Sequence, residues 1–252
     1  MSARARTMNR TAPPARLGFL YPGHAAEDDY PLMANMIEPP AEINLVHTQF
    51  VEDAHTVEAL SEMGSVRRLA EGAEALVGSG IESVMWTSTS ASFVLGLDGI
   101  RQQIDTLEKA LGVPASTTAM AFARAIKALD ADRVAIAATY PEDIAQRFRA
   151  FLGHFDIEVV HLASRGIVTA AEVGHLGKAD VIDFAVANTR PEAEVLLIPD
   201  TALHSAAWLG DLERACGMPV LTANQVSFWE ALRLCGKLTP QARMGRLFES
   251  TP

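Results

Sequence analysis

A run of small hydroxyl side chains follows the apolar segment that ends at Trp86. Residues 87–92 read Thr-Ser-Thr-Ser-Ala-Ser, so five of six consecutive positions carry a hydroxyl group. Hydroxyl groups and free backbone N–H groups before a helix suit the binding of a carboxylate or another oxyanion. The same residue types also cap helices without any ligand, so this loop alone leaves both interpretations open.

A carboxylate occupies a similar place in the second half of the chain. Asp200 comes after an apolar run at 195–198 and is followed by Thr201 and His204. A carboxyl group here is either a helix cap or an acid or base in a closed cleft. If a helix has begun at this point, Asp200 and His204 share a face, so the carboxylate could orient the imidazole.

A second histidine adds a further candidate. His24 follows Tyr21-Pro22-Gly23 in a short acidic insertion, and we expect this loop to border the cleft. The spacing of His24, Asp28, Asp200 and His204 is not a recognised ligand motif, so the sequence predicts no metal site. The two cysteines, Cys216 and Cys235, are too few for a disulfide framework and are not clustered with histidines as in a zinc site.

Composition excludes several classes of partner. The 252 residues carry a formal net charge of −10, and an acidic body repels nucleic-acid phosphates. No apolar run approaches the roughly 20 residues that span a bilayer, so we expect no membrane association. Residues 1–15 are Arg-rich and Pro-rich without the apolar core of a signal peptide, and we expect a disordered tail and a cytoplasmic setting.

Short apolar runs alternate with longer amphipathic stretches, which indicates an α/β protein with a mostly parallel sheet. The predicted strands are 17–21, 43–50, 83–87, 134–139, 157–162, 195–198 and 220–222. The predicted helices are 55–77, 99–111, 118–129, 141–154, 179–188, 206–216 and 226–234.

The chain contains an internal sequence repeat. Gly112-Val113-Pro114 recurs as Gly-Met-Pro 105 residues later, and an Arg-apolar strand leads to a Tyr-Pro pair both at 21–22 and at 140–141. Several landmarks in the same order predict two similar α/β halves. Ligands of parallel sheets sit at the carboxyl ends of strands, so the 87–90 and 199–205 loops should form opposite walls of one cleft.

These loops carry a family resemblance. Residues 88–96 fit the pattern Cys-Thr-Ser-x-Ser-Phe-x-x-Gly with Ser88 in place of the cysteine, and residues 199–205 lie in register with Ser-Cys-Thr-Asn-Leu-x-Thr with Asp200 at the cysteine. Tyr140 matches a tyrosine that hydrogen-bonds the substrate carboxylate. The chain therefore resembles the aspartate/glutamate racemase superfamily, in the branch of arylmalonate decarboxylase, maleate cis-trans isomerase and the ectoine-utilisation proteins.

The resemblance implies two pseudo-symmetric flavodoxin-like lobes with parallel four-stranded sheets and an active site between them. We expect one lobe from 16–117 plus 224–252 and the other from 118–223. It also implies cofactor-free chemistry at a carbon next to the carboxylate of a small organic acid. The expected catalytic residues are Asp200, Ser88, His24 and His204. The expected substrate-binding residues are Thr87, Thr89, Ser90, Tyr140, Thr201 and Tyr21.

The replacement of both cysteines makes some of the family's reactions less favourable than others for this chain. A serine hydroxyl without an adjacent base is a poor substitute for a thiolate, which disfavours nucleophilic addition and two-base racemisation. Proton transfer by Asp200 favours a decarboxylase or lyase. The alternatives are a racemase or cis-trans isomerase of a small acid, a non-catalytic binder of small acids, and a hydrolase that uses Ser88 or an activated water. Helix faces rich in Ala and Leu are compatible with a homo-oligomer.

Overall fold

Two parallel sheets of four strands carry the fold, and the computed structural model describes residues 13–249. The first sheet contains β1 (Arg16–Pro22), β2 (Glu42–Thr48), β3 (Ser83–Trp86) and β4 (Ala115–Thr117), in the spatial order β2-β1-β3-β4. The second contains β5 (Arg133–Ala138), β6 (Glu158–Ser164), β7 (Val195–Ile198) and β8 (Val220–Thr222), in the order β6-β5-β7-β8. The two orders are the same, which confirms the predicted pair of similar α/β lobes.

Helices connect the strands and cover the sheets. In chain order they are α1 (Asp29–Met36), α2 (Val57–Met63), α3 (Val66–Glu74), α4 (Ser90–Phe93), α5 (Gly96–Leu111), α6 (Thr118–Ala128), α7 (Glu142–Gly153), α8 (Ala170–Gly174), α9 (Lys178–Ala187), α10 (Leu209–Cys216) and α11 (Ala223–Leu234). The central strands β3 and β7 are buried along their whole length, as expected for parallel strands with helices on both sides.

The single helix predicted over 55–77 is wrong, because the chain forms α2 and α3 with a break at Gly64. A Cβ at Gly64 would lie 2.0 Å from the carbonyl oxygen of Ala91, so the backbones approach too closely for any side chain. Ser65 then starts a new helix, since its Oγ accepts a hydrogen bond from the backbone N–H of Arg68 at 3.4 Å.

The other differences concern short elements. The predicted strands omit β4, which is only three residues long, and the predicted helices omit α1, α4 and α8. Elements of three to eight residues show too few periods for a hydrophobic pattern to identify them. The helix predicted over 206–216 begins as a 3-10 turn at Ala206–Trp208. Residues 1–12 of the predicted tail lie outside the described residues, and the predicted lobe boundaries stay predictions.

Helix α11 is buried on all sides. Each of its residues from Ala223 to Leu232 is buried, and the helix packs against α6, α1 and strands of both sheets. The fully buried carboxylate of Glu230 is paired with Arg124 and with Arg233, whose Nε lies 2.6 Å from Glu230 Oε2. Pairing of this kind is what makes a buried charge tolerable.

A second buried carboxylate ties the halves together. Asp29, at the start of α1, accepts hydrogen bonds from the backbone N–H groups of Ser205 at 2.9 Å and Ala206 at 3.2 Å, and from Asn224 Nδ2 at 3.0 Å. Burial raises the pKa of Asp29 against the effect of these donors. Within residues 13–249, no helix combines the length and the apolar character needed to cross a bilayer.

Candidate active site

A pocket lies between the carboxyl ends of β1 and β3 in one half and β7 in the other. Ser88, Thr89 and Ser90 line it from the first half, and Asp200 and Thr201 line it from the second. The two predicted walls therefore face each other. Its volume is about 50 Å³, which is room for a few water molecules, and it is partly open to the outside.

The first wall combines helix capping with one free hydroxyl group. Ser88 Oγ accepts a hydrogen bond from the backbone N–H of Ala91 at 3.2 Å, and Ser92 Oγ donates to the carbonyl of Ser88 at 2.8 Å. Thr87 lies outside the pocket lining, and its hydroxyl donates to the carbonyl of Leu20 at 2.5 Å. Thr89 Oγ1 is buried without a hydrogen-bond partner among the described residues, so it is a hydroxyl on this wall that a ligand could engage.

Asp200 forms the second wall and is held from behind. It is 6% exposed. Its Oδ1 accepts a hydrogen bond from the backbone N–H of Ala202 at 2.9 Å, and its Oδ2 accepts one from the hydroxyl of Thr139. The carboxyl group is therefore fixed in position while it lines the pocket.

Two tyrosines at equivalent places in the halves differ in their surroundings. The hydroxyl of Tyr21 donates to the carbonyl of Thr201 at 2.8 Å and accepts from the backbone N–H of Ala26 at 3.0 Å. Tyr140 lies outside the pocket lining, behind His55, and its hydroxyl has no partner in the described part of the chain. Burial raises the pKa of both phenols well above the usual value, and the nearby charge of Asp200 adds to the effect at Tyr140. Tyr140 is therefore a neutral hydrogen-bond donor, whereas the Tyr21 hydroxyl is already engaged.

His55 belongs to the pocket although the sequence did not single it out. It is buried, lines the pocket, and its ring centroid lies 5.5 Å from that of Tyr140. Its Nδ1 has no hydrogen-bond partner within residues 13–249. The available signal was positional, because His55 sits directly before the helix-capping Thr56 in the loop that follows β2, at the carboxyl edge of the sheet.

A contact between the halves closes one side of the pocket. The two oxygens of Asp53 accept hydrogen bonds from the backbone N–H groups of Ala170 at 2.8 Å and Ala171 at 3.1 Å, in the first turn of α8. The backbone N–H of His55 also donates to the carbonyl of Val168 at 2.7 Å. We call the two Asp53 contacts the Asp53 bridge, and both Asp53 and Ala170 line the pocket.

Among the described residues, neither predicted catalytic histidine hydrogen-bonds Ser88 or Asp200. His24 is on the rim of the pocket, with its Nδ1 3.1 Å from Glu27 Oε1, and His204 Nε2 is 2.9 Å from Asp28 Oδ1. His24 and His204 both line a separate outer cleft of about 390 Å³. Among the described residues, no histidine hydrogen-bonds Ser88.

Both cysteines are half-buried at helix ends, and neither lines the pocket within the described chain. Burial, with the nearby charge of Glu213, raises the pKa of Cys216 to about 11. Burial also raises the pKa of Cys235. Thiols in this state are poor nucleophiles at neutral pH.

Comparisons with known proteins agree with this architecture. The chain is 27% identical over 191 residues to arylmalonate decarboxylase from Bordetella bronchiseptica, which covers 74% of this chain and 79% of the relative. The maleate isomerase Iso from Pseudomonas putida S16 has a similar structure, with a TM-score of 0.84, 18% identity, and coverage of 94% of this chain and 99% of the isomerase.

A double mutant of arylmalonate decarboxylase in its liganded form gives a TM-score of 0.83 at 23% identity and covers 95% of this chain and 100% of the mutant. The sequence profile of the family described as arylmalonate decarboxylase matches residues 39–248. Because this match spans most of the chain, the protein belongs to the arylmalonate decarboxylase family.

Proposed function

We propose that this protein decarboxylates a small malonate-type acid and that Asp200 supplies the proton to the resulting carbanion. Its relatives, a decarboxylase and maleate isomerases, support an enzyme that acts on small acids. The observation that carries the narrower proposal is the position of Asp200. Asp200 lines one wall of the pocket with its carboxyl group held by hydrogen bonds, and the hydroxyl-rich 88–90 loop lines the other wall.

Hydroxyl groups from both halves bind the carboxylate that stays on the substrate. The hydroxyl groups of Thr89 and Tyr140 are buried and have no competing partner among the described residues. Donors of this kind need little reorganisation when negative charge develops, because they are already desolvated and in place. His55 is a third such group and can hold the second carboxylate of the substrate in its ground state.

The reaction then breaks one carbon–carbon bond. The electron pair of the bond to the leaving carboxylate passes into the remaining carboxylate as CO2 departs, and an enediolate forms. Thr89 and Tyr140 stabilise the enediolate oxygens by hydrogen bonding. Asp200, which takes up a proton from solvent before each turnover, donates it to the carbon, and the enediolate electron pair forms the C–H bond. The sum is one proton consumed and one CO2 released.

The residues that line the pocket favour decarboxylation over catalysis by a thiolate or serine nucleophile. A thiolate nucleophile would have to come from Cys216 or Cys235, and both lie outside the lining. A serine hydrolase needs a base that accepts the proton of Ser88 Oγ, and among the described residues no side chain accepts a hydrogen bond from this hydroxyl. One acid on one wall suits one-sided protonation.

The lining also limits the substrate. Phe50, Leu60 and Met63 are the large apolar side chains of the lining, and the pocket volume is about 50 Å³. We expect malonates with a small 2-substituent to be better substrates than those with an aryl group, unless the wall of the pocket moves.

The proposal is tested by following CO2 release and deuterium incorporation in D2O with malonate, methylmalonate and phenylmalonate. Asp200→Asn should lower turnover by at least about 100-fold, which is the usual contribution of a general acid. Asp183→Asn is the matched control, because Asp183 is an exposed carboxylate on α9.

Other outcomes would replace the proposal. Unchanged turnover in Asp200→Asn removes Asp200 from the mechanism. Conversion of maleate to fumarate without CO2 release by the wild type would make the protein an isomerase. Calorimetric binding of dicarboxylates without any conversion would make it a binding protein.

A further inference from the structure

We propose that His24, Glu27 and His47 bind one divalent transition-metal ion, of the class of Zn²⁺, at the rim of the pocket. This trio, the rim cluster, departs from the expectation of no metal site. Among the described residues, the ligand atoms of the three side chains lie within 4.8 Å of one another. The site is independent of the chemistry proposed for Asp200.

The distances fit a small ion. Glu27 Oε1 lies 3.1 Å from His24 Nδ1 and 3.3 Å from His47 Nε2. Zinc binds imidazole nitrogen and carboxylate oxygen at about 2.0–2.1 Å, so two ligands of a tetrahedral site are separated by roughly 3.3 Å. Each imidazole nitrogen therefore lies at about the distance from Glu27 Oε1 that separates two ligands of a tetrahedral zinc site.

The backbone places the three side chains from separate parts of the chain. His47 on β2 pairs in register with Tyr21 on β1. The chain then turns back at Gly23, where φ is +67° and a Cβ would lie 2.6 Å from the ring of Phe50, and this turn brings His24 over His47. The two imidazole centroids are 3.9 Å apart.

Glu27 is oriented from behind in the manner of a metal ligand. Its Oε2 accepts a hydrogen bond from the backbone N–H of Ala25 at 2.7 Å, which leaves Oε1 for the histidines. Contacts to the outer atoms of a ligand fix its geometry and raise its affinity for metal. In the absence of metal the same atoms make two imidazole–carboxylate hydrogen bonds, so the experiment has to distinguish these two states.

The position suggests what a bound ion would do. Two histidines and one carboxylate leave a fourth position of a tetrahedral zinc site open to water or to an incoming oxygen ligand. His24 lines both the pocket and the outer cleft, so the open position would lie on the route between them. The chain has a net charge of −10, and a divalent ion bound by one carboxylate would give this rim a local positive charge that attracts an organic acid.

The test uses the full chain without a histidine tag, stripped of metal with a chelator. Titration calorimetry with Zn²⁺ measures stoichiometry and affinity, and Co²⁺ titration reports geometry through the intense visible absorption of tetrahedral cobalt. We expect one ion per chain with a micromolar or tighter dissociation constant. Glu27→Gln and His47→Gln should each weaken binding by at least 10-fold.

Two further variants separate this result from general binding to histidines. His154→Gln removes an exposed histidine that ends α7 and should leave binding unchanged. His24→Gln changes an exposed side chain that is 74% accessible, so it tests the site even if His47→Gln does not fold. No binding by the wild type, equal binding by His24→Gln, or equal loss in His154→Gln would overturn the proposal.

Discussion

The two tyrosines of the candidate site should respond in opposite ways to the same substitution. Tyr21→Phe removes a hydroxyl group that makes hydrogen bonds of 2.8 and 3.0 Å, whereas Tyr140→Phe removes one that has no partner among residues 13–249. Both rings are 1% exposed, so the hydrophobic contribution of each ring is kept in the variant. The comparison isolates the hydroxyl group.

The magnitudes follow from these contacts. Each lost hydrogen bond costs about 1 kcal/mol, and the buried partners left behind add to that cost, so Tyr21→Phe should lower the free energy of unfolding by about 2–4 kcal/mol. Tyr140→Phe loses no hydrogen bond and removes the desolvation penalty of a buried hydroxyl, so it should raise that free energy by about 1 kcal/mol. For a chain of this size, 1 kcal/mol corresponds to about 2–4 °C in Tm.

Tyr140→Phe should lower activity although it stabilises the protein. Loss of a donor to the enediolate should lower kcat by about 100-fold to 1,000-fold. Urea unfolding followed by circular dichroism and decarboxylation kinetics measure the two effects in the same preparations. If Tyr140→Phe destabilises the protein as much as Tyr21→Phe does, the Tyr140 hydroxyl is structurally engaged and our assignment of it as a substrate donor is wrong.

Two further predictions concern packing and the thiols. Gly64→Ala should destabilise the protein by more than about 2 kcal/mol in urea unfolding, because its Cβ would lie 2.0 Å from a backbone oxygen. Gly153→Ala is the control and should be neutral or stabilising, because a Cβ there has nothing within 4 Å. Equal effects of the two substitutions would contradict the close approach at Gly64. Iodoacetamide at pH 7.5 should leave turnover unchanged. The pKa of Cys216 is raised to about 11 and that of Cys235 is also raised, so both thiols are protonated at this pH. Rapid inactivation with one alkylated cysteine would refute this prediction.

The sequence predicted the large features of the fold for a physical reason. Buried parallel strands such as β7 are short apolar runs, and chemistry-bearing residues follow them at the carboxyl edge, so the 87–90 and 199–205 loops could be placed on facing walls. Asp200 was found in this way. The expected cytoplasmic setting and homo-oligomer stay predictions.

The sequence could not distinguish residues whose roles depend on tertiary partners. Thr87 and Thr89 are two positions apart and have the same side chain. The Thr87 hydroxyl donates a hydrogen bond to the carbonyl of Leu20, whereas the Thr89 hydroxyl has no partner in the described chain. His55 and the rim cluster depend on loop paths and strand register. The break at Gly64 depends on the approach of α4, which local helix propensity does not encode.

The Asp53 bridge bears on how quickly the pocket exchanges its contents. Its two hydrogen bonds to a charged carboxylate contribute about 1.5 kcal/mol each or more, so opening on this side costs at least about 3 kcal/mol. At equilibrium the open form is then below about 1% of the population, so a ligand that has to pass this side enters and leaves only during rare openings. The Asp53 bridge therefore slows the association and the release of such a ligand by the same factor, without changing its affinity.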